Sequence, residues 1–212
     1  MQQKRRWIWC SVATALTVFF LVFTLTVKFV DVQKDGTQSI GWATVNFWWR
    51  DVVGVQSVWY VISHIVLGAS FVALGVILFW QIIHFCRVRK LRLLPRHWWY
   101  FYLTLVALAG CYALFEFLSL NYRPFLVNGI AEVSYPSSHV LMLTTLCPLL
   151  VLVFARSTTN KIWVRLATVV GVVCWVLGVV ARLLSGYHWF TDIVGGGLLG
   201  ATLVAWYCTL TA

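Results

Sequence analysis

The chain has 212 residues, 61% of them hydrophobic and only 10% charged, and a mean hydropathy of +0.86. No soluble domain of this size needs so much apolar surface, so the composition excludes a soluble globular protein. It points to an all-α polytopic membrane protein, residues 1–212 forming one domain with room for about six spans of roughly 20 residues in a helical bundle. The net charge of +10 does not indicate nucleic acid, because the basic clusters flank apolar runs and contain no acid. These are Lys4-Arg5-Arg6, then Arg87, Arg89, Lys90, Arg92 and Arg96, then Arg156, Lys161 and Arg165. That is the pattern of cytoplasmic loops, with anionic lipid as a further contact.

The first span is expected over about 7–30. It follows a basic start like a signal peptide but lacks a small-residue cleavage site, and reads as an uncleaved anchor. A loop of 27 residues, 31–57, holds three of the six acids. Within it Ala43–Val53 (ATVNFWWRDVV) is expected as a short interfacial helix. The second span covers about 58–85 and the third about 98–120. The connection 121–136 carries Arg123, Pro124, Asn128, Gly129, Glu132 and Pro136, which exclude one continuous helix. The remaining spans are expected at 138–154, 162–184 and 190–210.

Thirteen Trp fit an interfacial belt, among them Trp7, Trp42, Trp48, Trp49, Trp98, Trp99 and Trp189 at span ends. The six cysteines lack paired metal spacing and read as small core residues. Gly195, Gly196, Gly197 and Gly200 favour close helix packing.

Six spans put both termini on one side, and the basic clusters make that side cytoplasmic. Loops one, three and five then face outward. Those loops and their margins hold Arg123, Glu132, His139, Arg182, His188 and Asp192, so the candidate functional groups converge on one face.

The stretch Ala181–Gly197 is the most informative. Arg182, His188 and Asp192 stand in an otherwise lipid-soluble run, where ionisable groups are costly unless they face a cavity or partners. His188 and Asp192 are one helical turn apart, so the carboxylate can orient the imidazole. An arginine fork beside an oriented histidine suits an oxyanion, above all a phosphate. A second motif is Tyr135-Pro136-Ser137-Ser138-His139. Proline and a capping serine would open a helix whose free amides bind an anion, with His139 in its first turn. A third is Asn121-Tyr122-Arg123-Pro124, which leaves Arg123 at the membrane edge.

Each residue also has a plain structural reading. His188 and Asp192 can be a buried pair, His139 an interfacial residue, and Arg123 a snorkelling cation. His64 and His84, in apolar runs without acidic neighbours, read as structural, and His97 belongs to a basic loop.

Taken in order, Arg123-Pro124, Pro136-Ser137-Ser138-His139 and Arg182-x5-His188-x3-Asp192 resemble the type 2 phosphatidic acid phosphatase superfamily. Its usual pattern is Lys-x6-Arg-Pro, Pro-Ser-Gly-His and Ser-Arg-x5-His-x3-Asp. The chain departs at Glu116, where the lysine stands, at Ser138 for glycine and at Ala181 for serine. Glu116 matters most, since a carboxylate repels the phosphate that a lysine attracts.

The resemblance implies a metal-independent membrane lipid phosphatase with no cofactor and a phospho-histidine intermediate. His188 would be the nucleophile, Asp192 its orienting carboxylate and His139 the general acid and base. Arg123, Arg182, Ser137 and Ser138 would bind the phosphoryl oxygens. The implied substrate is a membrane lipid phosphate: undecaprenyl pyrophosphate, phosphatidylglycerol phosphate or phosphatidic acid. The small size and outward site resemble bacterial plasma-membrane members that recycle the polyprenyl carrier of wall synthesis. Two alternatives stay open at this point, a lipid phosphotransferase using the same histidine and a non-catalytic lipid-phosphate binding or transport protein.

Overall fold

A computed structural model describes residues 2–35, 38–88, 94–125 and 130–212. Arg89, Lys90 and Arg92 of the second basic cluster, and Asn128 and Gly129 of the 121–136 connection, lie outside them. Six helices are long and apolar enough to cross a membrane. They are α1 (Gln2–Phe29), α3 (Ser57–Val88), α4 (Arg96–Leu118), α5 (Ser138–Ser157), α6 (Lys161–Leu184) and α7 (Phe190–Thr211), with a short α2 (Ala43–Val53) between the first two. The protein is an integral membrane helical bundle. Each expected span is present, and α1 extends back through Lys4-Arg5-Arg6.

Local chemistry sets the ends. Pro95, at φ −55°, stands at the start of α4. Ser119 closes α4 in the left-handed region at φ 46°. The Asn160 side chain caps α6, accepting from the amides of Ile162 and Trp163 at 3.0 and 3.3 Å. Ser137 stands at the start of α5, yet its hydroxyl makes no capping bond. The expected serine cap is therefore absent. The Ser137 carbonyl accepts the first intrahelical bond, from Leu141 N at 2.9 Å, and the amides before Leu141 keep no helical acceptor.

Helices α5 and α7 form the centre. More than half of the most apolar stretch of each is buried, against under a quarter in the other four. α5 packs on α3, α4, α6 and α7, and α7 also on α1 and α4. In a lipid environment such contact rests on close packing rather than on the hydrophobic effect, so small residues matter. A Cβ at Gly196 would stand 2.6 Å from Ser137 O, so glycine is required there for α7 to lie against the start of α5. Gly195 and Gly200 are similarly tight, whereas Gly197 is not.

The first loop is more structured than its composition suggests. Residues Gln33–Asp35 (β1) and Gln38–Ile40 (β2) form a small antiparallel hairpin. Helix α2 is covered on one side by the start of α7: Phe47 packs on Trp189 and Trp49 on Phe190, with ring centroids 5.8 Å apart in each pair. Trp189 and Trp98 are therefore core residues rather than members of an interfacial belt, while Trp7, Trp48 and Trp99 are exposed. All six cysteines are free.

Candidate active site

The seven sequence-predicted residues gather at one end of the bundle, where α3, α5 and α7 begin and α4 and α6 end. Three come from the end of α6 and the turn into α7. Gly186, at φ +72°, allows that turn, and a side chain there would collide with Gly54 O in the link between α2 and α3. Ser185 O accepts from Gln56 N at 2.9 Å, which ties the turn to the same link.

His188 is the middle of a three-residue chain. Arg182 Nη2 donates to His188 Nε2 at 2.8 Å. On its other side His188 Nδ1 stands 3.4 Å from Asp192 Oδ2, close enough for a charge contact but outside hydrogen-bond geometry. The same Oδ2 accepts from Trp189 N at 3.0 Å, so Asp192 closes the first turn of α7 while facing the imidazole. Asn121 and Ser134 approach the carboxylate without reaching hydrogen-bond geometry. Burial, reinforced by the Arg182 charge, holds the His188 imidazole well below the ordinary histidine range.

Arg182 is only 1% exposed, a costly position for a guanidinium. The Tyr60 ring offsets part of that cost, with Cζ 5.4 Å from its centroid. Two further donors, Nε and Nη1, are buried without a partner. Around them lie more unused polar atoms: Ser137 Oγ, Arg123 Nε and both ring nitrogens of His139. Unpaired buried donors in this number are unusual in a folded protein and mark a place shaped for an anion. The first-turn amides of α5, including that of Ser138, also have no intrahelical acceptor. Ser137 N donates instead to Asp192 O at 2.9 Å, locking the two motifs together.

Arg123 reaches the same place from a hairpin-like loop. Tyr122 pairs with Val133, and Arg123 N donates to Glu132 O at 2.9 Å. The Arg123 guanidinium is not snorkelling: Nη2 pairs with Glu132 Oε2 at 3.0 Å. A cavity of about 370 Å³ opens here, lined by Glu116, Arg123, Glu132, Ser138 and His188 among others. Glu116 therefore stands at the cavity that holds the nucleophile candidate, while remaining exposed.

A family model described as the PAP2 superfamily matches residues 92–212, more than half of the chain. The chain belongs to the PAP2 superfamily. Among solved structures, this PAP2 protein is similar to one titled the first transmembrane PAP2 type phosphatidylglycerolphosphate phosphatase from Bacillus subtilis. The TM-score is 0.57 at 17% identity, over 92% of this chain and 93% of that one. That likeness concerns the fold. A search of curated proteins finds no match.

Three contributions escaped the sequence reading. Asn46 of α2 is fully buried and bonds Thr191 from both ends of its amide: Nδ2 donates to Thr191 Oγ1 at 3.0 Å, and Oδ1 accepts from Thr191 N at 3.2 Å. It thereby fixes the residue before Asp192. Trp189 Nε1 donates to Tyr122 O at 2.7 Å, joining the arginine loop to α7. His64, read from the sequence as structural, lies with its ring 4.3 Å from that of His139. No local signal in an apolar run announces such a contact. His84, by contrast, stacks on Trp80 of its own helix, as a structural residue would.

Proposed function

We propose that this protein is a lipid phosphate phosphatase that works without a metal, through a phospho-histidine, at the outer face of a bacterial plasma membrane. The observation that carries the reading is the Arg182–His188–Asp192 chain beside a cluster of unpaired buried donors. The guanidinium has no acceptor, so His188 Nε2 presents its lone pair and the ring proton sits on Nδ1, toward Asp192. That is the tautomer a nucleophilic Nε2 needs.

In the first step Nε2 attacks phosphorus and the bond to the lipid oxygen breaks. His139 gives its proton to that oxygen, so a lipid alcohol or lipid phosphate departs. Asp192 stabilises the positive charge that develops on the imidazole. In the second step His139 takes a proton from water, whose oxygen attacks phosphorus, and the P–N bond breaks to return His188 and inorganic phosphate. Arg182, Arg123, Ser137 and the amide of Ser138 hold the phosphoryl oxygens in both steps. The lipid tail lies between helices, and the polyprenyl carrier of wall synthesis is the substrate we favour. The distribution of basic clusters supports cytoplasmic termini and an outward site.

The test is phosphate release from a panel of lipid phosphates in detergent with EDTA, comparing wild type with His188→Ala. Chelator-resistant release that the substitution abolishes is the expected result. No release from any lipid by folded wild-type protein would overturn the reading.

A further inference from the structure

We propose that His64, on α3, is a specificity-determining residue that holds the inner phosphate of a lipid diphosphate. The proposal rests on the phosphatase reading above. His64 Nδ1 is 2.8 Å from Tyr60 O, and a carbonyl only accepts, so Nδ1 carries the proton and Nε2 is the nitrogen left for other use. No carboxylate among the described residues pairs with this histidine. His64 is exposed near the start of α3, so its Nε2 is open to a polar ligand.

The surroundings place that ligand. The His64 ring meets His139 edge to face at 4.3 Å and Tyr60 at 4.1 Å. Tyr60 in turn packs on Tyr187 at 4.1 Å and lies under the Arg182 guanidinium. One turn of α3 thus forms a wall of the site. These contacts place His64 beside His139, on the α3 side of the site.

With phosphorus at His188 and the leaving oxygen at His139, whatever that oxygen carries next faces His64. In a monoester this is a carbon, to which an imidazole offers nothing. In a diphosphate it is a second phosphorus with anionic oxygens, to which Nε2, taking up a second proton as the anion binds, donates a charge-assisted hydrogen bond. The contact also stabilises the inner phosphate as a leaving group. Glu116, in the cavity beside His188, supplies no cation, so the additional positive contact comes from α3 instead.

The test uses a matched pair of probes with one tail, farnesyl diphosphate and farnesyl monophosphate, on wild type, His64→Phe and His64→Gln in detergent. Phenylalanine keeps the ring packing and removes the donor; glutamine serves if the first variant does not fold. The expected result is a fall of about 10- to 100-fold in kcat/KM for the diphosphate, with the monophosphate within about threefold of wild type. Equal losses for both probes, no loss for either, or a wild type that cleaves only the monophosphate would each overturn the proposal. A wild type that cleaves neither probe nor any lipid of the panel would instead overturn the phosphatase reading.

Discussion

Arg182 Nη2 donates to Nε2 of His188 across 2.8 Å, and this contact orders the proton positions of the whole site. Because arginine cannot accept, the imidazole is fixed with its lone pair toward the anion site and its N–H toward Asp192. A lysine cannot do the same work, since one ammonium lacks the planar fork that reaches an imidazole and phosphoryl oxygens together. Arg182→Lys is expected to lower kcat/KM by about 100-fold, measured on the best lipid of the panel. A loss under about threefold would remove the fork from the mechanism.

The carboxylate on the other side is tested by Asp192→Asn. Asparagine keeps the shape and can still accept from Trp189 N, so α7 retains its first turn. It loses the charge that holds the Nδ1 proton. The expected fall in kcat is about 1,000-fold or more, with thermal stability in detergent little changed. Activity near wild type would reduce Asp192 to a helix cap.

The buried His188 also predicts a pH effect. Its folded-state affinity for a proton is depressed by burial and by Arg182, while an unfolded histidine titrates near about 6.5. Below that pH the unfolded chain binds a proton that the folded one refuses. The stabilising contribution is therefore present above about pH 6.5 and is lost as pH falls toward the folded value. Thermal unfolding between pH 8 and 5 should show a decline that His188→Asn makes shallower. Neutral His188 also persists below pH 6, so loss of nucleophile should not limit the rate there.

Glu132 occupies one arm of Arg123 at 3.0 Å. Glu132→Gln frees that arm for a phosphoryl oxygen while the backbone bond between the two residues is kept. KM for a lipid phosphate is expected to fall up to about fivefold, the scale of a half-exposed ion pair. A rise in KM would mean that the pair positions Arg123 instead of restraining it.

Asn46 is tested by Asn46→Ala, which leaves Thr191 N and Oγ1 buried without their partner. The cost is about 1–3 kcal/mol of stability. Because Thr191 precedes Asp192, kcat should fall more than KM rises. An unchanged kcat in a destabilised variant would confine Asn46 to packing.

The primary sequence alone determined the broad outline. Six long apolar runs need no tertiary information to be read as helices, because in lipid the backbone must satisfy its own hydrogen bonds. The order Arg123, His139, Arg182, His188, Asp192 was legible because charged groups at membrane depth are rare and costly. Helix α2 was legible too, from its aromatic spacing. Tertiary structure decided what these groups meet. Asn46 reaches Thr191 across 145 positions of chain, and His64 reaches His139 across 75, separations over which no local pattern carries a signal. The Ser137 hydroxyl was expected to cap α5, but in the fold it is buried without a partner. Trp98 and Trp189 stand at span ends like belt residues, and only the fold buries them. Chain chemistry specifies which groups are present and roughly at what depth. Which of them touch depends on how α3, α5 and α7 pack, and that is a property of the assembled bundle.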